Sequence, residues 1–473
     1  MSSDQHHKQY DDARTPVAVD VVLRSATVIT MDDDDTCFDG DVAVDGGEIV
    51  AMGPRLAHVG REEVDLGGQV LLPGFVNAHT HECMERGWFE DLGFMEWLET
   101  YAQPKDRAYR PEHQRAASSL VQLELIKSGF TSILSMFRYP SVSAAVARTS
   151  GIRATFAPQL VEDPSGVGES WEDTLNFLDE LDRDPHPRIR GWLGPHALYS
   201  CSEGTYREIA RFARERRVGI HTHLAESRDE VTRIRERTGL TPTAYLDELI
   251  GLGPDVVLAH GVELTADDIA RIADSGAAVA HCPTSNMKLG NNISPVVDLR
   301  AAGATVGLGT DSVMSNNVLD PFAEMRMACL VAKFRTGDPS VMSAPEVLRL
   351  ATRGSARALG LEDLVGSVEV GKRADLVAVD LRGPHLWPLT GDEGHLGNLV
   401  EQLVYAARAS DVSLTMVDGE ILMSERRMRT LDEGAVREIV EAEAADLARR
   451  AGVDDHVVRR RPKSLRGRVQ VSD

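Results

Sequence analysis

Cysteine is scarce. The five in 473 residues (Cys37, Cys83, Cys201, Cys282, Cys329) are scattered, odd in number and form no CxxC pair. A disulfide framework or a thiolate zinc site is therefore not expected, and a reducing compartment fits. Basic residues are outnumbered, 51 Lys+Arg against 74 Asp+Glu, and only seven of the 51 are Lys. Phosphate binding needs a basic face, so the resulting formal charge of −23 argues against nucleic acid or an anionic membrane as partner. No apolar run approaches about 18 residues, and the opening MSSDQHHKQYDDARTP has no apolar signal core. A cytoplasmic protein is expected. With 42% apolar and 26% charged residues, the chain reads as an ordinary globular one.

Residues 1–17 read as a disordered leader. Alternating β-branched residues with Asp-Gly-Gly punctuation follow in DVVLRSATVITMD (20–32) and DVAVDGGEIVAMG (41–53), and the pattern predicts hairpins. The same texture returns in GSVEVGKRADLVAVDL (366–381) and VSLTMVDGEILM (412–423). One small β-sandwich domain built from both ends, 18–69 and 366–430, is the economical arrangement. Between them, 70–365 alternates helical patterns with eight strand-like runs: 69–81, 130–136, 152–158, 189–197, 218–226, 255–261, 277–283 and 304–312. Eight such units predict an α/β fold of the (β/α)8 barrel type. An amphipathic helix and a basic tail close the chain over 431–473.

A barrel of this kind carries its active site at the C-terminal ends of its strands. Strand 1 ends in His79-Thr80-His81, strand 4 in His196, strand 5 in His221-Thr222-His223 with Glu226 beyond. Strands 6, 7 and 8 end in His260, His281 and Asp311. Seven of the 15 histidines occupy these ends. Residues i and i+2 of a strand share a face, so His79 and His81 can reach one metal. His223 and Asp311 supply two more candidate ligands from across the barrel. Three nitrogens and a carboxylate suit one divalent ion, Zn²⁺ first and Fe²⁺ as the alternative. Such an ion lowers the pKa of bound water toward about 7, giving hydroxide at neutral pH. Glu226 is placed to shuttle a proton, His260 to orient the hydroxide or polarise the leaving group, and Asp311 to accept the water's proton. His221 reads as structural, a support for the ligands. His58, His113, His186, His385, His395, His6, His7 and His456 read as surface residues. Cys83 and Cys282 adjoin site residues without any mark of a nucleophile.

PGFVNAHTH (73–81), MEWL (95–98), GPHALYSCS (194–202), HTHLAES (221–227), AHGVEL (259–264), HCPTSNMKLGNNISPV (281–296), GLGTDSVMSNN (307–317) and GSVEVGKRADLVAVD (366–380) together resemble the amidohydrolase superfamily. The resemblance covers about residues 20–430 and falls in the branch of S-adenosylhomocysteine/methylthioadenosine deaminases and triazine hydrolases. It implies one metal on His79, His81, His223 and Asp311. It implies that Glu226 protonates a ring nitrogen of a heteroaromatic small molecule, while His260 positions the attacking hydroxide and Asp311 relays its proton. His196 and His281 match positions near the substrate. Two-metal relatives carry a Lys at the end of strand 4; GWLGPHALYS has none, so a single ion is implied. Homodimers or homotetramers are the rule in this family.

Three departures bear on substrate. Adenosine-type deaminases of the branch carry a ribose-binding Glu after the proline that follows the WL segment. Here AQPKDRAYR places Lys105 and Asp106 there, and Asp106 is the candidate substitute. The arginines of homocysteine-binding forms are missing from APQLVEDPSGVGESWEDT. The loop after His81 is acidic, with Glu82, Glu85, Glu90 and Asp91 beside Trp88 and Phe89. It reads either as a solvated loop or as a pocket wall for a cationic substrate, with Trp88 as a stacking face. The expected function is a metal-dependent aminohydrolase of an amino-substituted N-heterocycle, with metal-bound hydroxide attacking the ring and ammonia leaving. Loss of chloride or an alkylamine from an s-triazine-like ring is the alternative, and a non-catalytic scaffold on the same fold the remote one.

Overall fold

A computed structural model describes residues 17–88, 90, 98–163, 166–391 and 396–453. The expected leader and basic tail lie outside these residues, apart from Val17, as do Phe89, Asp91, residues 95–97, His6, His7, His395 and His456. The N-terminal β-branched runs form β1 (Ala18–Ile29), β2 (Cys37–Asp45) and β3 (Glu48–Gly53). Between β2 and β3, Gly46 and Gly47 both take positive φ, 56° and 81°, as a two-residue type I′ hairpin requires. β4 (Val59–Asp65), which the sequence reading missed, runs parallel to β1. Its burial alternates half-buried with exposed, so its pattern lacked an apolar face.

The run expected as one strand over 69–81 is two strands, β5 (Gln69–Pro73) and β6 (Phe75–His81). β5 belongs to the β-domain sheet and β6 opens the barrel. The break falls at Gly74, where a Cβ would stand 2.1–2.2 Å from the Thr131 side chain. The barrel strands continue as β7 (Phe130–Phe137), β8 (Arg153–Leu160), β9 (Ile189–Gly191), β10 (Gly194–Pro195), β11 (Ile220–Leu224), β12 (Val256–His260), β13 (Ala278–His281), β14 (Thr305–Leu308) and β15 (Asp311–Ser312). β9 with β10 fill the fourth barrel position, and β14 with β15 the eighth. Two parallel sheets result, β15-β6-β7-β8-β10 with β9 on β8, and β11-β12-β13-β14. They meet where His221 N donates to Leu193 O at 2.8 Å. Pairing of Asp311 with Thr80 joins the last strand to the first. This is a (β/α)8 barrel.

The C-terminal run adds β16 (Leu376–Asp380), β17 (Val412–Val417), β18 (Glu420–Ser424) and β19 (Arg427–Met428). Residues 366–373, expected as strand, instead dock on β3: Ile49 N donates to Lys372 O and Gly371 N to Ile49 O. Both chain ends share one nine-stranded sheet, β19-β18-β17-β16-β5-β1-β2-β3 with β4 on β1. Apolar side chains from both halves, among them Leu23, Val42, Leu71, Leu376 and Met416, bury one core. Arg153 of β8 clamps the two units together. Its Nε and Nη2 reach the Asp375 carboxylate at 2.8 and 2.9 Å in a buried bidentate pair.

Helix Glu433–Arg450 packs along helix Pro111–Lys127. Between them His113 is 1% exposed, with Nε2 3.1 Å from the Asp446 carboxylate, so it is not the surface residue expected. His58 is buried too, against expectation. The partners that bury His113 lie on a helix more than 300 positions away, which no local pattern announces. No helix among the described residues is long and apolar enough to cross a membrane.

Candidate metal centre and active site

Strand alternation places His79 and His81 on β6 and His221 and His223 on β11, each pair two residues apart. The hydrogen bonds of their Nδ1 atoms then decide where the Nε2 atoms point. His81 Nδ1 donates to Met136 O, and His223 Nδ1 donates to His196 O at 2.8 Å. His221 Nδ1 donates to Val257 O at 2.9 Å, which leaves its Nε2 to accept from His79 Nδ1 at 2.7 Å. His260 Nδ1 donates to Asn286 Oδ1 at 3.0 Å. Each candidate ligand ring is thereby held in the tautomer whose Nε2 lone pair is free. Burial lowers the pKa of His79, His81 and His223, so the neutral, ligating form is the stable one.

The free nitrogens converge. His81 Nε2 and His223 Nε2 lie 3.2 Å apart, and Asp311 Oδ1 lies 3.4 Å from His81 Nε2 and 3.7 Å from His79 Nε2. His79 Nε2 is buried with no hydrogen-bond partner. Facing lone pairs repel unless a cation lies between them. Donors held about 2.0–2.1 Å from a tetrahedral ion sit about 3.3–3.4 Å apart, so the spacing fits one divalent ion. Two groupings of donor atoms can hold a metal here, His79 with His81 and Asp311, and His79 with His223 and His260. A third, His113 with Glu443 and Asp446, lies under the C-terminal helix. There Arg110 N donates to His113 Nδ1, so Nε2 carries the proton and has no lone pair to offer.

Asp311 accepts from Ser285 Oγ at 2.5 Å and from Ser312 N at 2.6 Å. Burial acts to raise its carboxyl, but His81, His260 and the Ser285 hydroxyl outweigh it and hold the group below its ordinary value. Glu226 Oε2 stands 3.8 Å from His260 Nε2, and Oε1 accepts from Asn291 Nδ2 at 3.3 Å. Burial raises Glu226 above the ordinary glutamate value, with His260 opposing. Ala225, His260 and Asp311 all have positive φ, 50°, 75° and 58°. Such backbone costs about 1–3 kcal/mol per residue and clusters at functional sites. At Ala225 the turn is held by Glu230, which accepts from Ala225 N and Glu226 N at 3.0 and 2.9 Å.

Above the imidazoles opens a cavity of about 460 Å³ lined by His81, Asp106, His196, His223, Glu226, His260 and Asp311, with Lys105, Phe137 and Tyr199. His196 Nδ1 is 3.0 Å from Ser200 Oγ. Asp106 Oδ2 accepts from Gly168 N at 2.8 Å. Two expected substrate contacts are absent from the lining. Trp88 packs instead against Ala448 of the C-terminal helix and Val453 beyond it. His281 is fully buried at the end of β13, where burial pulls its pKa down to about 4. At its described positions the acidic loop is not a pocket wall: Glu82 and Glu85 are buried, Glu90 is partly exposed, and none of the three lines the cavity. Glu82 accepts from Ser118 and Gln122, Glu85 pairs with Lys105, and Glu90 pairs with Lys288. Burial raises the Cys83 and Cys282 thiols, which keeps both protonated and inert.

Sequence reasoning missed Ser285, Asn286, Asn291 and Glu230. The first three lie in the segment after His281, where nothing in a single sequence marks a polar residue as reaching back to the site. The carbonyls of Met136, Val257 and His196 carry no sequence signal at all.

A description of the amidohydrolase family matches residues 70–422. The chain belongs to the amidohydrolase family. A 5-methylthioadenosine/S-adenosylhomocysteine deaminase of Pelotomaculum thermopropionicum is 38% identical over 91% of this chain and 99% of that one. A 5'-deoxyadenosine deaminase of Methanosarcina mazei is 36% identical over the same shares. Among solved structures, a zinc-bound adenosine deaminase of Xanthomonas campestris superposes on this amidohydrolase with TM-score 0.86 at 30% identity, covering 92% of this chain and 100% of that one. A zinc-bound atrazine chlorohydrolase of Arthrobacter aurescens TC1 gives 0.79 at 27% identity, over 90% and 100%.

Proposed function

We infer that this amidohydrolase removes the amino group of an adenosine derivative by hydrolysis, releasing ammonia. It is a hydrolase acting on carbon–nitrogen bonds of cyclic amidines. The observation that carries the reading is the convergence of three lone-pair imidazoles and the Asp311 carboxylate beneath a cavity that also holds Glu226. The similarity to deaminases of adenosine derivatives over nine-tenths of the chain supports it.

His79, His81, His223 and Asp311 would hold one divalent ion, Zn²⁺ in first place and Fe²⁺ in second. When bound, the ion supplies Lewis acidity that brings the pKa of water from about 15.7 toward about 7. Asp311, kept ionised by its neighbours, takes up the water's proton and delivers it to the amino nitrogen, which leaves as ammonia. His260, fixed through Asn286, holds the attacking oxygen in line. Glu226 reaches the ring nitrogen, and its raised pKa suits it to give a proton there and regain one as ammonia leaves. His196 and Asp106 contact substrate from the cavity wall. A homodimer or homotetramer in the cytoplasm, with no nucleic-acid or membrane partner, completes the proposal.

A second reading keeps the machinery and exchanges the leaving group for chloride or an alkylamine, and the likeness to atrazine chlorohydrolase supports it. The test is the purified protein with Zn²⁺ against adenosine, 5'-deoxyadenosine, guanine, cytosine and chlorinated or alkylaminated s-triazines. Ammonia, chloride and alkylamine are each measured. Ammonia from the adenosine compounds is expected. Release of chloride or alkylamine alone would establish the second reading, and no product from any compound would reject both.

A further inference from the structure

A second cavity, of about 340 Å³, opens at the other end of the barrel. It lies at the N-terminal end of β9, between helices Trp171–Arg183 and Glu203–Arg216. None of its lining residues lines the cavity above the imidazoles. Three arginines, Arg190, Arg216 and Arg217, line it with His186, against one carboxylate, Asp182. Arg216 accounts for that carboxylate, since it is paired with Asp182 and with Asp179. Arg190 and Arg217 form no ion pair among the described residues. On a chain with a formal charge of −23, two unpaired guanidinium groups at one cavity call for a physical reason.

Arg190 is half-buried, whereas Arg217 is exposed. Arg190 Nη2 donates to Leu359 O at 2.7 Å and to Thr155 Oγ1 at 3.4 Å. A guanidinium has five N–H donors, so Nε and Nη1 keep three with no partner among the described residues. Burial and the charge of Arg153 lower its pKa from 12.5 to about 10, and no carboxylate opposes them. Buried charge persists in proteins where it is paired, so this free edge of the fork suits an anion admitted by the cavity. His186 adds a donor. Its Nδ1 accepts from Arg188 N at 3.3 Å, while burial and the charges of Arg148 and Arg188 lower its pKa. The ring is therefore neutral and Nε2 carries the proton. Leu178, Leu181 and Val218 add apolar wall. A phosphate monoester carries about −1.5 to −2 charges and three acceptor oxygens. It matches two unpaired cations and this donor set better than a single carboxylate does, and its organic part covers the apolar wall. We propose that this cavity is a binding site for a small phosphate monoester, its phosphoryl oxygens accepting from Arg190 Nε and Nη1, His186 Nε2 and the Arg217 guanidinium.

The test titrates the zinc-loaded protein with glycerol 3-phosphate, inorganic phosphate and succinate in chloride at constant ionic strength. Calorimetry reads the affinity and the thermal midpoint reads the stabilisation. Glycerol 3-phosphate is expected to bind at one site per chain and to raise the midpoint, more tightly than inorganic phosphate, with succinate weakest. A lost hydrogen bond to a charged group corresponds to about tenfold to a hundredfold. Arg190→Gln and Arg217→Gln are each expected to weaken monoester binding by that factor. Arg190→Lys, which keeps the charge without the fork, should recover only part of the loss. Should Arg190→Gln fail to fold without its bond to Leu359 O, the exposed Arg217→Gln decides alone. Unchanged affinity in the folded Arg190→Gln protein, or in Arg217→Gln, overturns the inference. So does a wild type that binds no phosphate compound at millimolar concentration. Succinate binding as tightly as the monoester overturns the phosphoryl assignment, and inorganic phosphate binding as tightly overturns the monoester in favour of the free ion. None of these outcomes bears on the deaminase reading.

Discussion

His221 does not line the cavity and offers no nitrogen to the convergent donor set, yet the geometry makes metal affinity depend on it. Its Nδ1 donates to Val257 O and its Nε2 accepts from His79 Nδ1 at 2.7 Å. Replacing it with Leu, of similar bulk, removes the acceptor for His79 Nδ1–H inside a fully buried site. Two costs follow. An unsatisfied buried N–H costs about 1–3 kcal/mol. The proton can also move to Nε2, which blocks the lone pair that faces Asp311. Either route weakens the metal-competent state by a similar amount, so a 10–100-fold loss of metal affinity is expected, or about 1.4–2.8 kcal/mol. The assay is zinc competition against a chromophoric chelator, with metal content measured after dialysis. His221→Gln, whose amide oxygen can accept from His79, should lose less than His221→Leu. Zinc affinity within about twofold of wild type in the folded Leu variant would refute the reasoning, because the tautomer of His79 would then not depend on His221.

Glu226→Gln should retain stoichiometric zinc while turnover falls about 10²–10⁴-fold; a near-wild-type rate removes Glu226 from the proton transfers. Glu324 tests the linkage of charge to stability. It is buried and accepts from Asn316 Nδ2 at 2.6 Å, and burial pushes its pKa up from 4.5 to about 7. A raised carboxyl keeps its proton in the folded state, so its contribution is fully present below pH 4.5 and is lost as pH rises through about 7. Glu324→Gln, which keeps the acceptor, should flatten the decline of the thermal midpoint between pH 5 and 8. Parallel midpoint curves for the two proteins contradict the assignment.

Much of the architecture was legible from local pattern. The eight barrel runs and the two β-rich ends follow from periodicity, since alternation of period two survives in any surrounding. Where pattern failed, a non-local contact decided. The 69–81 run has continuous strand character, yet it divides between two sheets at Gly74, where the Thr131 side chain leaves no room for a Cβ. The 366–373 run has strand composition but finds its hydrogen bonds against Ile49 instead of in a ladder. His113 looked like a surface residue because the helix that covers it lies more than 300 positions away.

The candidate metal-binding set was legible in the sequence. Each of its members sits at a strand end, and a barrel brings strand ends together whatever the loops do. Direction belongs to the tertiary structure. Whether Glu85 faces solvent, substrate or Lys105 depends on how one loop packs, and its acidity alone carries no such information. Which nitrogen is free depends, for His81, His221 and His223, on backbone carbonyls that every residue possesses alike, and for His79 and His260 on the side chains of His221 and Asn286. A sequence names the groups able to do chemistry; the packed barrel chooses their tautomers, their charges and the face each one shows.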